Sequence, residues 1–94
     1  MIYDMKTLSN SELTIKVSPH GAELCSILRD GKEYLWQADP AFWKRHSPVL
    51  FPIVGSVWEN EYRHEGVSYA LTQHGFARDM DFELIFEQED EVRY

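Results

Sequence analysis

Short runs of alternating apolar and polar residues, each ended by turn-forming residues, most limit what this chain can fold into. Leu13, Ile15 and Val17 alternate with polar residues, which is the period-two pattern of a half-buried strand. Asp30-Gly31 is the strongest hairpin signal, because a type I′ turn requires positive φ at both central positions. The pattern predicts an all-β fold with antiparallel sheets.

Further strands are predicted wherever apolar runs are bounded by turn residues. The predicted strands are 5–8, 13–17, 22–28, 32–36, 67–71, 82–86 and a last one that begins at 92. The acidic stretch 87–91 predicts a turn. Asp39 and Pro40 predict a single helical turn, because Asp caps a helix start and Pro fits the first helical position.

Two prolines interrupt the middle of the chain. Pro48 and Pro52 exclude a central strand between them, because proline has no N–H to donate to a ladder. The apolar run around them therefore predicts an irregular segment in which Phe51, Ile53 and Val54 are buried.

Charge and composition limit the partners and the compartment. The formal net charge of -7 argues against nucleic acid, since the phosphate backbone needs a basic face. The apolar runs are too short for a signal peptide or a membrane span, so no membrane partner is expected. A single cysteine, Cys25, excludes an internal disulfide and is typical of a reducing compartment, which predicts a cytoplasmic protein.

The chemically richest stretch is 73–79, which lies between two predicted strands. Gln73 offers an amide, His74 an imidazole that can exchange a proton near neutral pH, and Arg78 a guanidinium. Phe76 adds a flat ring on which a sugar can stack. Binding residues concentrate on loops of a rigid scaffold, so this stretch predicts a sugar site.

The remaining reactive side chains have simpler interpretations. The histidines lack the spacing of zinc ligands on a strand or a helix, so no metal site is expected; they are His20, His46, His64 and His74. Cys25 lies in an apolar run without a base nearby in sequence, which favours a small buried hydrophobic residue over a nucleophile.

Asp79 and Asp81 flank one residue and would share a face of a strand. Such a carboxylate pair could serve acid–base chemistry. A simpler interpretation is a pair of solvated charges or partners of a neighbouring arginine, and Asp79 beside Arg78 fits it.

Several short motifs follow one another along nearly the whole chain. They are Gly21-Ala22-Glu23-Leu24, Glu33-Tyr34-Leu35-Trp36-Gln37, Phe42-Trp43, Pro48-Val49-Leu50-Phe51-Pro52-Ile53-Val54-Gly55 and Gln73-His74-Gly75-Phe76-Ala77-Arg78-Asp79. With these motifs the chain resembles the aldose 1-epimerase (galactose mutarotase-like) family, in its LacX-type branch.

The resemblance implies that residues 1–94 are the N-terminal part of a single galactose mutarotase-like β-sandwich domain. Family members interconvert the α and β anomers of hexoses, and some relatives act on phosphohexoses. The reaction needs a base at the C1 hydroxyl and an acid at the ring oxygen, which implies neither a cofactor nor a metal.

Site residues also follow from the resemblance. His74 matches the first of the family's two active-site histidines and is implied to be catalytic, while Arg78, Gln73 and Phe76 are implied to bind the sugar. The second histidine and a glutamate base lie further along the family's chains than residue 94. Ser56 stands where this branch usually carries an arginine. We therefore expect this chain alone not to interconvert anomers.

Two other functions stay open: a non-catalytic carbohydrate-binding module, and an interaction domain with exposed strand edges. If the chain is a natural fragment, bare edges and apolar faces predict a homo-oligomer. Its interface would bury Leu13, Ile15, Leu84 or Ile85 against a neighbour.

Overall fold

Four antiparallel strands form the main sheet of the structure, a computed structural model that describes residues 4–94. They are β1 (Lys6–Ser9), β2 (Thr14–Ser18), β3 (Glu23–Arg29) and β4 (Lys32–Glu33), and they lie side by side in chain order. Ile15 faces Leu8 on one neighbouring strand and Ile27 on the other. This apolar row is the cross-strand contact that the alternating pattern predicts.

Two further hairpins follow the main sheet. They join β5 (Glu61–His64) to β6 (Val67–Ala70) and β7 (Phe86–Gln88) to β8 (Glu91–Arg93), and single 3-10 turns occupy Trp58–Asn60 and Ala77–Asp79. The last hairpin lies beside the main sheet, where the Ser9 N–H donates to the Glu89 carbonyl over 3.0 Å. Over the described range, no helix has the length and apolar character needed to cross a membrane. The predicted all-β fold is confirmed.

The local turn predictions are also confirmed. Asp30 and Gly31 have φ angles of 50° and 76°, as a type I′ hairpin turn requires. The helical turn at 39–43 forms as well: the Trp43 N–H donates to the Asp39 carbonyl over 2.9 Å. The Asp39 carboxylate accepts the Ala41 N–H over 2.9 Å, which is the capping contact that the sequence predicts.

The predicted strand at 82–86 is wrong in its position. The Phe82 N–H donates to the Pro19 carbonyl over 2.9 Å, so the start of this segment is held against the end of β2 instead of a ladder partner. The ladder begins only at Phe86, which faces Arg93.

Two other predicted elements are shorter than expected. The acidic turn 87–91 contracts to residues 89–90, because a two-residue turn already joins the two strands. The strand predicted at 32–36 ends at Glu33, because the Glu33 carboxylate accepts the Leu35 N–H that a ladder would otherwise use.

The prediction that the proline-bracketed segment is buried is wrong for two of its three residues. Phe51 is 58% exposed and Val54 is 77% exposed, while Ile53 is half-buried. The buried apolar core of the described residues is small; it consists of Leu8, Cys25, Leu71 and Ala77. The accessible surface is 7189 Å², whereas a compact protein of this mass exposes about 5,700 Å². The strands form a single layer, so exposed side chains such as Phe51 and Val54 have no second layer to pack against.

Glu33 stabilises the β3–β4 hairpin by accepting three hydrogen bonds. The Ser26 hydroxyl donates to its carboxylate, and so do the N–H groups of Ile27, over 2.8 Å, and Leu35, over 3.0 Å. These hydrogen bonds, that of Ser26 first, favour the ionised carboxylate and lower the pKa of Glu33 below its ordinary value. A carboxylate whose pKa falls on folding stabilises the folded state above its unfolded pKa.

We therefore expect the stability contributed by Glu33 to be complete at neutral pH and to be lost as the pH falls below 4.5, the ordinary value, and through the folded pKa. Glu33→Gln should lower Tm at pH 7, because one accepting carboxylate oxygen is replaced by an NH2 group. That group is itself a donor and cannot accept the hydrogen bonds that the carboxylate accepts. Thermal melts followed by circular dichroism at pH 7, 5 and 3 should show wild type and variant converging at low pH. Glu83→Gln, at an exposed carboxylate, is the control and should leave Tm unchanged.

The exposed apolar surface also favours self-association, which is the homo-oligomer that the sequence predicts. Leu13 is 39% exposed and Ile85 is 69% exposed, and exposed strands offer unpaired backbone groups. Light scattering during size-exclusion chromatography should give a mass above that of the 11.1 kDa chain, rising with concentration. Ile85→Glu should shift the population towards the monomer. A constant monomeric mass for wild type at all concentrations would contradict the proposal.

Candidate functional site

The predicted sugar-site loop is held against the proline-bracketed segment by its backbone. The Phe51 carbonyl accepts the N–H groups of Phe76, over 3.0 Å, and Ala77, over 3.2 Å. Phe51 and Gly75 form an isolated parallel bridge between the two segments. A Cβ atom at Gly75 would lie 2.2 Å from the Phe51 carbonyl oxygen, and Gly75 has a φ of +73°. Only glycine fits both this approach and this backbone conformation.

His74 is fixed by two reciprocal hydrogen bonds with Gly55. The His74 N–H donates to the Gly55 carbonyl over 2.7 Å, and the Gly55 N–H donates to His74 Nδ1 over 2.9 Å. Because Nδ1 accepts a hydrogen bond here, the neutral imidazole carries its proton on Nε2. His74 is half-buried and has a φ of 62°, a left-handed conformation that few non-glycine residues adopt. The loop therefore holds one imidazole in a defined tautomer and orientation.

Two residues near His74 that are predicted to bind the sugar lie at the protein surface. Gln73 is exposed, and Phe76 is 49% exposed. The Phe76 ring packs edge-on against Phe51, with centroids 6.2 Å apart and planes at 85°. That contact holds one part of the Phe76 ring and leaves the rest open to a ligand.

Arg78 is half-buried on the 3-10 turn that follows. Its backbone packs on Gly21, where an added Cβ would lie 2.7 Å from the Arg78 carbonyl oxygen. Arg78 Nε is buried, and within residues 4–94 no acceptor is hydrogen-bonded to it. A buried N–H without an acceptor is costly, and Arg78 thus has a buried donor for which the described residues supply no acceptor.

The two aspartates after the loop do not form a shared acid–base pair. Asp79 Oδ1 accepts from Arg45 Nη2 over 3.0 Å, so its partner is Arg45 and not the neighbouring Arg78. Asp81 Oδ1 lies 2.9 Å from His20 Nδ1, across the bridge that joins the two residues. Each carboxylate therefore has its own basic partner.

A second cluster of reactive side chains is formed by two residues of β3, Glu23 and Cys25, and by His46. The ligand atoms of Glu23, Cys25 and His46 all lie within 4.8 Å of one another. Cys25 is buried, as the sequence predicts, but the chain returns and brings His46 to it; the Ser47 hydroxyl donates to the Leu24 carbonyl over 2.5 Å. Burial first, and then the Glu23 carboxylate, raise the pKa of the Cys25 thiol, which argues against a nucleophile.

A concave surface that encloses a volume of about 540 Å³ lies beside this second cluster. Its lining includes Lys16, Lys44 and all three cluster residues, but none of the predicted sugar-site residues. Alternation along a strand would have placed Glu23 and Cys25 on one face. No sequence signal predicts the approach of His46, which depends on the path of the chain between 34 and 47.

Comparisons with known proteins identify relatives over nearly the whole chain. The family model for aldose 1-epimerase matches residues 4–94. The chain is 39% identical over 93 residues to the chromosomal and plasmid LacX proteins of Lactococcus lactis subsp. lactis, which covers 93% of this chain and 31% of each of theirs.

Solved structures agree with this assignment. A galactose mutarotase related enzyme from Lactobacillus acidophilus superposes with a TM-score of 0.92 at 42% identity, over 94% of this chain and 30% of its own. A galactose mutarotase-like protein from Lactobacillus casei gives 0.86 at 40% identity, over 90% and 30%. The chain thus spans under a third of the length of these relatives, and the resemblance drawn from its motifs is confirmed.

The contact between Gly75 and Phe51 yields a prediction with a matched control. Gly75→Ala and Gly66→Ala both place alanine at positive φ, but a Cβ at Gly66 meets nothing within 4 Å. We expect Gly66→Ala to cost about 1–2 kcal/mol of unfolding free energy from the backbone alone. Gly75→Ala should cost ~1–3 kcal/mol more, as overpacking does. Urea denaturation measures both, and equal losses would show that the close approach does not form.

Proposed function

Because the chain belongs to the aldose 1-epimerase family, we propose that it binds a hexose or phosphohexose through the loop at residues 73–78. The observation that carries the proposal is the pair of hydrogen bonds between His74 and Gly55. They keep Nδ1 occupied as an acceptor, so Nε2–H is the part of the ring that can donate to a ligand. An imidazole oriented in advance loses little freedom when it binds.

Each neighbouring side chain suits one part of a sugar. The exposed part of the Phe76 ring can stack on the C–H face of the pyranose, and the Gln73 amide can both donate to and accept from hydroxyl groups. The donors of Arg78 suit a hydroxyl oxygen or the phosphate of a phosphohexose. The donor Nε2–H of His74 suits the ring oxygen or the C1 hydroxyl.

Binding does not by itself supply catalysis. Anomer interconversion needs one group that takes the C1 hydroxyl proton and another that protonates the ring oxygen. Asp79 and Asp81 do not offer this pair, because Arg45 and His20 engage them. The resemblance implies a second histidine and a glutamate beyond residue 94. We therefore propose that residues 1–94 bind the sugar without interconverting its anomers.

An interaction domain is the second candidate function, and one observation favours it. Several large apolar side chains are mostly exposed to solvent, including Trp58 at 86% and Phe42 at 81%. The Phe42 ring also contacts the 42% exposed Trp36, with centroids 6.2 Å apart, and exposed apolar surface that is contiguous marks protein contacts. In that case the sugar loop would be present without a ligand.

A sugar titration separates the two functions. Two-dimensional amide NMR with glucose, galactose and glucose 6-phosphate should shift the signals of Gly55 and of the loop at 73–78. His74→Asn is the sharpest variant, because its Oδ1 can still accept the Gly55 N–H and Asn tolerates positive φ, whereas Nε2 is lost. We expect affinity to fall about twofold to thirteenfold, the loss that one hydrogen bond of ~0.5–1.5 kcal/mol implies.

His64→Asn serves as the control for this titration, because His64 lies exposed on β5 and outside the loop. Equal affinity of wild type and His74→Asn, or no shift with any sugar, would contradict sugar binding at this loop and favour the interaction domain. Polarimetry of glucose and galactose should show no acceleration above buffer, and acceleration that is lost in His74→Asn would contradict the binding-only proposal.

A further inference from the structure

Three potential metal ligands converge on one side of β3. Glu23 Oε2 lies 3.9 Å from His46 Nδ1, and the ligand atoms of Glu23, Cys25 and His46 are mutually within 4.8 Å. We propose that these three residues form a binding site for a borderline-soft divalent cation, with Zn²⁺ as the best match to the donor set. The three ligands are not residues of the proposed sugar site, and zinc binding by them does not depend on sugar binding.

A β-bulge at Cys25 brings Ser26 to the same face of β3 as Glu23 and Cys25. Lys16 faces Ser26 and Val17 faces Leu24, so Cys25 is the extra residue of β3. A bulge redirects a side chain out of the regular alternation, and bulges are common beside functional sites. Cys25 and Ser26 are consequently both buried and both line the same concave surface.

The distances need only small adjustments for coordination. Bond lengths of 2.0–2.3 Å in tetrahedral geometry place neighbouring ligand atoms about 3.4–3.8 Å apart. The Glu23–His46 pair is already near that value. Rotation of a carboxylate and an imidazole about their side-chain bonds can close the rest without moving the strand.

Hydrogen bonds from side chains to the backbone hold β3 and the residue next to His46 in place. The Ser47 hydroxyl donates to the Leu24 carbonyl, which fixes the residue next to His46 against β3. The Gln37 amide donates to the Cys25 carbonyl over 2.9 Å. Ligands supported in this way lose less freedom on binding a cation.

The donor set and the surroundings suit zinc with one open position. A thiolate, an imidazole and a carboxylate are all ligands that zinc accepts, and three protein ligands leave the fourth position to a small molecule. The two anionic ligands balance the charge of the cation. Lys16 and Lys44 line the same concave surface, so the fourth ligand should be water, hydroxide or another small anion.

The test uses the full chain without an affinity tag. Zinc titration against a chromogenic chelator should give one equivalent of bound metal and raise Tm, because the folded state alone holds the three ligands together. Cobalt(II) should give tetrahedral d–d bands and a thiolate-to-cobalt charge-transfer band. Cys25→Ser and His46→Gln should each weaken zinc binding by more than about tenfold, and Cys25→Ser should abolish the charge-transfer band.

His64→Gln, at an exposed histidine on β5, is the control and should bind zinc as wild type does. His46 is only half-buried, so His46→Gln keeps the test decisive even if Cys25→Ser does not fold. Zinc affinity that is unchanged in His46→Gln would overturn the site. A wild-type cobalt complex without the thiolate band would also overturn it, and would leave Cys25 as a buried thiol that donates to the Glu23 carbonyl.

Discussion

The close approach of Gly75 to Phe51 is the contact on which the rest of the sugar loop depends. A carbonyl of one segment binds two N–H groups of the other, and the absence of a side chain at Gly75 makes the distance possible. This alignment brings His74 beside Gly55, where the imidazole gains its fixed tautomer. The loop is therefore shaped by backbone hydrogen bonds and one glycine, with little help from buried apolar area.

Features that depend on neighbouring residues could be predicted from the sequence, and features that depend on distant contacts could not. The turn at Asp30-Gly31 follows from a local φ requirement, and the family motifs located the loop at 73–79. Whether Phe51 is buried depends on a second layer of structure, which no local pattern contains. The approach of His46 to Cys25 likewise depends on how the intervening chain folds back.

Polar groups end and anchor the elements that a large core would otherwise fix. Glu33 ends β4 by accepting the N–H groups of Ile27 and Leu35, and Gln37 continues this contact with β3 at Cys25. Such contacts have direction, so they define positions even where apolar packing is thin. The contacts of Glu33 also depend on the charge of its carboxylate, which ties the anchoring of β3 to pH.

The two candidate sites place different demands on the exposed apolar surface. Two residues of the Glu23–Cys25–His46 cluster lie on β3 of the main sheet, whose ladder with β2 continues on both sides of the bulge, and elements of this kind support precise sites. The loop at residues 73–79 is held by hydrogen bonds to Phe51 and Gly55, and the side chain of Phe51 is largely exposed. Covering the apolar surface, by a second copy or by further chain, would thus rigidify the sugar loop more than the cluster on β3. The proposed sugar binding should accordingly depend on the state of assembly, whereas the geometry of the cluster should not.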